Sequence, residues 1–561
     1  MKPTSTDKNR KLSVMKNKYL FFMLVFLCNG CNKYTSDRIA EERLALDRQA
    51  STLPSLYITI DSDRLDSIHN SQKVKTAAEA YFVTADNDTI YEGDIKIKTR
   101  GNSSFSVENK KPYSITFPQK IQIFGLQKDK SYNLLANWTD GLHYLNNPFA
   151  FDLAQAVGLP VPKYTHLHLY CNGVYKGIYQ MTNKADAIPQ TVSITDLSKE
   201  NKILNPDKQS CYPKFPDDNC KQTPYRRGVL LDEEPEDVTG GYIIEHNRTG
   251  DFPLLKSPSG FTSNAGDGFR IRVPKYAGKR EVDYIETFYN EVEDAIWSLD
   301  GYNSQTGKHY SQYIDVSSFA KYYIIQELLQ HYDACQNSFM MYKDADRIDS
   351  LLYAGPIWDF DIFSYNNPYF KNTLYVCSWY GESGGIFYHL YQHEDFRNIV
   401  AKTYIEDVYP TVQNMLHSNY LDSLQEILNV YIPEFKNGVQ QRSDFLYKLW
   451  ISDPDDIISI QIVNTCPYRW GCVGERQKVL ILGDKSEGVM LPSYFPIIDN
   501  GDPTISWQLV GDSVPLPPDT IFFTSQEVEI RFEYPSKLEF WRRRIKKKLR
   551  KIFFNAPIQV I

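Results

Sequence analysis

Carboxylate and amide side chains gather in one stretch of this 561-residue chain, between residues 331 and 363. Asp333 and Asn337 follow a segment with helical periodicity, whereas Asp359 and Asp361 follow a strand-like run. Loops at element ends can bring these three carboxylates and one amide together. Such a set suits Mg²⁺ with phosphate oxygens, and it matches phosphoryl transfer, in which one Asp orients the attacking group while an Asn and another Asp hold metal. The alternative is structural, because the same residue types cap helices and form turns.

Basic groups that could bind phosphate lie earlier in the chain. Arg100 and Lys111 belong to one segment, where a pair of strands can direct a guanidinium and an ammonium group into one cleft. The alternative for Arg100 is structural, because a guanidinium also binds backbone carbonyls or a carboxylate. Lys184 is a weaker candidate. The motifs GxxxxGK[ST], GxGxxG and GxSxG are absent from the sequence, so P-loop, dinucleotide-binding and serine-hydrolase functions have no support.

The elements that must position these residues are strands first and helices later. Alternating runs from Leu53 to residue 117 predict an antiparallel sheet, and Asn172-Gly173 predicts a hairpin turn. Helical spacing occurs at 146–159 and over most of 281–449, except that residues 339–361 predict a strand, a turn, a strand and then a sharp loop. The predicted fold class is therefore α+β, with one large domain over residues 53–450.

Beyond this domain the sequence changes character twice. Short β-like runs separated by turn residues predict a small β domain over residues 451–540. Residues 541–561 form a basic tail with eight Lys and Arg, and without these eight the net charge of −7 becomes −15. The tail suits an anionic lipid surface, or it is a solvated end. The overall negative charge argues against a nucleic-acid binder.

The N-terminus has the pattern of an export signal. Two lysines precede a short apolar run at 19–28, and small residues and Cys31 follow it. This ending resembles a bacterial lipobox, in which Cys31 is lipidated and begins the mature protein. We therefore expect a signal peptide at 1–31, a tether at 32–52 and an exported, membrane-anchored lipoprotein; plain secretion and an uncleaved anchor are the alternatives.

The remaining cysteines agree with an oxidising compartment. Cys211 and Cys220 flank one loop, and Cys466 and Cys472 flank another, so each pair predicts a local disulfide. Zinc binding is the alternative, but the sequence has no CxxC or HExxH spacing. The odd number of cysteines leaves at least one free thiol.

Several separated motifs resemble the CotH kinase family, in order, across about residues 54–450. They are RGNSS at 100–104, KKPYSITF at 110–117, YNLLANWTD at 132–140, YCNGVYKGIYQMTNK at 170–184, GGYIIE at 240–245, the stretch from Asp333 to Asn337, and GPIWDFD at 355–361. The resemblance implies an atypical protein-kinase-like fold with a β-rich N-terminal part and a helical C-terminal part. It also implies phosphorylation of protein Ser, with ATP and Mg²⁺ as cofactors and a protein carrying the acceptor Ser as partner.

Roles for individual residues follow from the same resemblance. Asp333 would be the catalytic Asp, and Asn337 an amide that supports the metal. Asp359 would be the counterpart of the kinase DFG Asp, with Asp361 as a second metal candidate. Glu245 would be a carboxylate of the nucleotide pocket.

Two positions depart from the family pattern. Asn146 stands where the family has an Arg expected in the nucleotide site, and Asn183 stands where it has a Glu. Both changes favour a rival hypothesis, a non-catalytic surface module that binds a protein or glycan partner on a pseudokinase-like scaffold. The intact metal-side residues favour the kinase. ATP is scarce outside the inner membrane. Two further alternatives are therefore that the protein uses ATP before export and that its ligand is not ATP.

Overall fold

The structure, a computed structural model, describes most of the chain between residues 53 and 533. The described residues are 53–101, 104–107, 110–137, 143–206, 212–215, 226–247, 257–331, 338–361, 374, 386–452, 456–464, 477–486, 488–491, 504–512, 514–517 and 520–533. The predicted signal peptide with Cys31, the tether, the basic tail and both predicted disulfides lie outside these residues. Within them, Cys171 is a buried free thiol.

A closed barrel forms the first part of the described chain. Its strands are β1 (Ser55–Thr59), β2 (Thr76–Val83), β3 (Thr89–Thr99), β4 (Tyr113–Ile121), β5 (Asp129–Leu135), β6 (Tyr164–Cys171) and β7 (Val174–Thr182), in the spatial order β1-β2-β3-β4-β5-β7-β6. Helix α1 (Ser62–Asn70) follows β1, and helix α2 (His143–Ala156) precedes β6.

One strand pair of the barrel differs from the predicted antiparallel sheet. Strands β1 and β6 run parallel, and this pair closes the barrel, whereas the other neighbours are antiparallel. A parallel pair requires a long crossover, which the chain between β1 and β6 supplies. The predicted hairpin between β6 and β7 is confirmed, because Asn172 and Gly173 have φ of 50° and 76°.

A second sheet follows the barrel in the chain, and most of the described helices share a hydrophobic core with it. Helix α3 (Leu197–Leu204) comes first, and the sheet has the order β14-β13-β10-β12-β11-β9-β8. Its strands are β8 (Lys214–Phe215), β9 (Arg226–Val229), β10 (Tyr242–Asn247), β11 (Gly260–Thr262), β12 (Gly268–Val273), β13 (Phe339–Lys343) and β14 (Leu352–Ala354). The strand, turn and strand predicted between residues 339 and 354 are thus confirmed.

The helices after β12 share one hydrophobic core with this sheet and with α2. They are α4 (Lys279–Trp297), α5 (Val316–Leu329), α6 (Ile386–Gln392), α7 (Glu394–Thr403), α8 (Tyr409–His417), α9 (Tyr420–Leu428) and α10 (Pro433–Ile451), with a π-helical turn at Tyr404–Val408. Inside this core Arg442 donates to Glu327 at 3.0 Å, and both side chains are fully buried. None of the described helices is long and apolar enough to cross a membrane.

Short strands make up the described part of the C-terminal region. Strands β15 (Ile457–Asn464), β16 (Gln477–Asp484), β18 (Thr504–Leu509) and β20 (Gln526–Glu533) form one sheet, and β17 (Val489–Met490) pairs with β19 (Ile521–Phe522). These strands have a small core of their own, which includes Ile460, Trp507 and Val528. The presence of both helices and strands throughout the described chain confirms the α+β class.

Candidate functional site

Arg100 directly follows strand β3 and lies beside the loop that follows β14. The guanidinium carbon lies 5.3 Å from the centre of the Trp358 ring, a cation–π contact. Burial lowers the pKa of Arg100, and the negative charges of Asp359 and Asp361 oppose that effect. The structure therefore brings together three of the residues predicted from the sequence, one cation and two carboxylates.

The backbone of the Asp359 turn is held in a specific conformation. Asp359 has φ of 69°, in the left-handed region that non-glycine residues seldom occupy. The Ser338 hydroxyl donates to Asp359 Oδ2 at 2.8 Å, and His331 Nε2 lies 3.0 Å from the Asp359 carbonyl oxygen. A carbonyl only accepts, so Nε2 carries the ring proton. Burial lowers the pKa of His331 to about 4, and the ring is therefore neutral at pH 7.

Two asparagines of helix α2 form hydrogen bonds with the backbone of the same turn. Asn147 Oδ1 accepts from the Phe360 backbone N–H at 2.8 Å, and its Nδ2 donates to Asn137 Oδ1 at 3.1 Å. Asn146 Nδ2 donates to the Asp361 carbonyl oxygen at 3.3 Å. Both side chains are almost fully buried. The position at which the sequence resemblance predicts an Arg thus contributes a neutral contact to the loop backbone.

Strands β10 and β12 supply an ion-pair network next to Arg100. Glu245 lies directly opposite Arg270 in the register, and its Oε2 accepts from Arg270 Nη2 and, at 3.1 Å, from Arg272 Nη1. The other side of the Arg272 guanidinium donates to Asp186, from Nε at 2.9 Å and from Nη2 at 2.7 Å. Arg272 therefore bridges two carboxylates.

The arginines and carboxylates of this network stabilise one another's charged forms despite burial. Burial alone would raise the pKa of Glu245 and of Asp186, but nearby arginines outweigh it and lower both pKa values. The charge of Arg272 also lowers the pKa of Arg100, whereas the charge of Asp186 raises it. The charges of this network therefore act on the Arg100 cluster, and Glu245 is linked to it through Arg272.

Lys111 does not join this cluster in the way predicted for it. Its ammonium donates to the Phe105 carbonyl at 2.6 Å and lies 5.0 Å from the centre of the Phe105 ring. The charge of Lys184 does act on this network, because it lowers the pKa of Asp186. The other predicted residues, Asp333 and Asn337, lie outside the described residues.

Asn183, the second departure from the family pattern, is fully buried and bonded to a loop. Its Oδ1 accepts from the Gln127 N–H at 3.1 Å, and its Nδ2 donates to the Gln127 carbonyl at 2.9 Å. An amide satisfies both backbone groups, whereas a carboxylate only accepts. The residue at this position therefore fixes the loop before β5.

Sequence reasoning missed Asp186, Arg270 and Arg272. A local signal exists in the β12 sequence GFRIRV, where two arginines alternate with apolar residues and so share one face of the strand. For Asp186 the sequence offers no comparable signal, because its partner lies 86 positions away.

The described carboxylates suit a cation only in part. No group of three or more His, Cys, Asp or Glu among the described residues could hold a metal ion by itself. Asp359 and Asp361 would supply two carboxylates, which fits Mg²⁺ because this ion takes one or two carboxylates and completes its coordination with water and phosphate oxygens.

Comparison with known proteins agrees with this geometry. Residues 97–459 match the family model described as CotH kinase protein, which is more than half of the chain. The chain therefore belongs to the CotH kinase family. A search of curated proteins gives no match.

Proposed function

We propose that the protein is an ATP- and Mg²⁺-dependent kinase that phosphorylates Ser on a protein substrate, with a kinase-like arrangement of the barrel and the helical part. Family membership supports a kinase-like function. The single observation that carries the proposal is the cluster of Arg100 with Asp359 and Asp361, linked through Arg272 to Glu245. A cation and carboxylates at one point are what a magnesium-bound phosphate needs.

The proposed roles follow from charge and position. Asp359 and Asp361 would hold Mg²⁺, which when bound neutralises phosphate charge. Arg100 would donate to phosphate oxygens, and the Arg272 network would keep its surroundings charged and fixed. Asp333 would accept the proton of the Ser hydroxyl, by family resemblance, with Asn337 supporting the metal. The Ser oxygen then bonds to the γ-phosphorus, the bond to the β–γ bridging oxygen breaks, and ADP leaves with that electron pair.

The site and its substrate are proposed to face the cell envelope. The lipobox-like Cys31 supports an exported lipoprotein, and the basic tail supports contact with anionic lipid. The partner would then be a surface or secreted protein.

The purified chain provides the test through two measurements, binding of ATP with and without Mg²⁺ and transfer of labelled phosphate to protein. We expect Asp359→Ala to abolish magnesium-dependent binding and to reduce transfer by at least about a hundredfold, since the loss of transition-state charge stabilisation costs on the order of 3–4 kcal/mol. Asp422→Ala removes an exposed carboxylate of α9 and is the matched control. Equal signals for both variants, or no signal in the parent protein, would refute the kinase proposal.

A non-catalytic binding module is the second candidate, and Asn146 favours it. The buried amide of Asn146 donates a hydrogen bond to the Asp361 carbonyl oxygen, so this position adds no cation to the Arg100 cluster. Magnesium-dependent ATP binding without any phosphate transfer, even with substrate-rich envelope extract, would support this candidate over the kinase.

A further inference from the structure

One face of the barrel next to the Arg100 site carries positive charge that the proposed function leaves unused. Lys96 and Lys98 on β3, and Arg100 directly after it, alternate with residues buried in the barrel, so all three point outward. Alternate residues on one strand face lie about 7 Å apart, and the three side chains therefore form a row of about 13 Å. The row ends at Arg100, which is also the cation beside Asp359.

Short polar side chains border this row. The partners of Lys96 and Lys98 on β4 are Thr116 and Ser114, and these pair in turn with Ser131 and Asn133 on β5. The Thr116 and Ser131 hydroxyl oxygens lie 2.9 Å apart. Thr116 and Ser131 are partly exposed, whereas Ser114 and Asn133 are buried, so the polar groups open to a partner lie beside Lys96.

More cations converge on the same surface. Lys75 donates to Thr116 Oγ1 at 2.8 Å. Burial lowers the pKa of Lys98, and the charges of Lys184, Lys275 and Arg100 lower it further. The neighbours that act on the Lys75 charge are likewise lysines. The charges that act most strongly on both ammonium groups are positive, and the nearest carboxylates of the same strand face, Asp94 and its β2 partner Glu79, precede Lys96. We call this surface the basic barrel face, made of Lys75, Lys96, Lys98, Lys184 and Lys275.

We infer that the basic barrel face binds an acidic segment of the protein substrate, an inference that rests on the proposed kinase function. Charge complementarity and continuity support this inference, because the row ends at Arg100 beside Asp359. An extended peptide presents alternate side chains at the spacing of the row, so Asp or Glu at every second position would face Lys96 and Lys98. At about 3.3 Å per residue, these acidic positions lie within about six residues of the acceptor Ser.

Binding to the full purified chain tests this inference without any need for catalysis. The probe is a fluorescent peptide of twelve residues with Glu at alternate positions and one Ser, and the same peptide with Gln in place of Glu is the comparison. We expect the Glu peptide to bind at least tenfold more tightly, and its affinity to fall as salt is raised. The variant Lys96→Glu with Lys98→Glu should weaken it at least tenfold.

The control variant carries Lys199→Glu with Lys202→Glu, two exposed lysines of α3, and has the same change in net charge. It should bind the Glu peptide as the parent does. Equal weakening by both double variants, or equal affinity for the Glu and Gln peptides, overturns the inference. So does a preference for anionic phosphatidylglycerol vesicles over the Glu peptide that the Lys96 and Lys98 change abolishes, since the face would then be a lipid surface.

Failure of the proposed kinase function has a different signature. If ATP does not bind, yet the Glu peptide binds and depends on Lys96 and Lys98, the inference about the acidic partner is supported and the proposed kinase function is refuted. If ATP binds normally to the Lys96 and Lys98 variant but the peptide shows no preference for Glu, the inference about the partner is wrong and the nucleotide site remains.

Discussion

Replacing Arg272 by Met is the sharpest test of the ion-pair network, because this one guanidinium bridges two carboxylates. The change removes the donors to Asp186 at 2.7 and 2.9 Å and the donor to Glu245 at 3.1 Å. Removing one partner of a buried ion pair costs about 3–5 kcal/mol. The Arg272 and Asp186 side chains keep 23% and 21% exposure. Water therefore offsets part of the loss, and we expect the free energy of unfolding to fall by about 3 kcal/mol.

Arg270→Met is the matched control on the same strand. It removes one donor to Glu245, while Arg272 still pairs with both carboxylates. The expected loss is about 1–2 kcal/mol, the contribution of a single charge-assisted hydrogen bond. Urea unfolding at pH 7, followed by tryptophan fluorescence, gives both values from the midpoint and the slope.

The pH dependence adds an independent check. The folded-state pKa values of Asp186 and Glu245 lie below their ordinary values, so the stability they contribute is complete above about pH 5 and is lost as the pH falls through the folded pKa values. In the Arg272→Met variant, Asp186 loses its guanidinium partner, and burial would raise its pKa, whereas Glu245 keeps Arg270. Protonation of Asp186 would relieve part of the cost on acidification. The difference between parent and variant should therefore be smaller at pH 4.5 than at pH 7. A constant difference, or equal losses for Arg270→Met and Arg272→Met, would contradict the bridge.

Two further perturbations probe the surroundings of the site. The folded pKa of His331, lowered to about 4 from 6.5, means that its contribution to stability is present at pH 7 and lost as the pH falls from 6.5 toward 4. His331→Gln should therefore reduce the loss of unfolding free energy between pH 7 and pH 4.5 by about 2 kcal/mol; equal pH slopes for parent and variant would refute this. Asn183→Ala should lower stability by about 2 kcal/mol, because both backbone groups of Gln127 lose a partner. Its dissociation constant for Mg·ATP should stay within twofold of the parent value, and a larger change would place Asn183 in the nucleotide site.

Local features of the fold were accessible from the sequence. Turn chemistry gave the hairpin at Asn172-Gly173, and alternation gave strands β13 and β14 with the sharp loop after them. Closure of the barrel was not accessible, since Ser55 pairs with His168 across more than a hundred residues and nothing local marks that partnership.

The candidate site shows the same division. Arg100, Asp359 and Asp361 were predicted and lie together, because each follows a strand end and one motif covers the acidic pair. Lys111 was predicted because it lies close to Arg100 in the sequence. Its side chain instead donates to the Phe105 carbonyl, and the order of motifs along the chain does not show which way a side chain points. The arginines of β12 were missed because the partner of each lies on another strand or loop.

The closed barrel also decides where the chain can be cut. The family match begins at residue 97, near the end of β3, so a fragment trimmed to residues 97–459 would lack β1, β2 and all but three residues of β3. Strand β6 would then lose its partner β1, and β4 would keep only the short remnant of β3 beside it. Unpaired strand edges are sites for edge-to-edge aggregation. Recombinant work on the site therefore has to start at or before residue 53, upstream of the segment that defines the family.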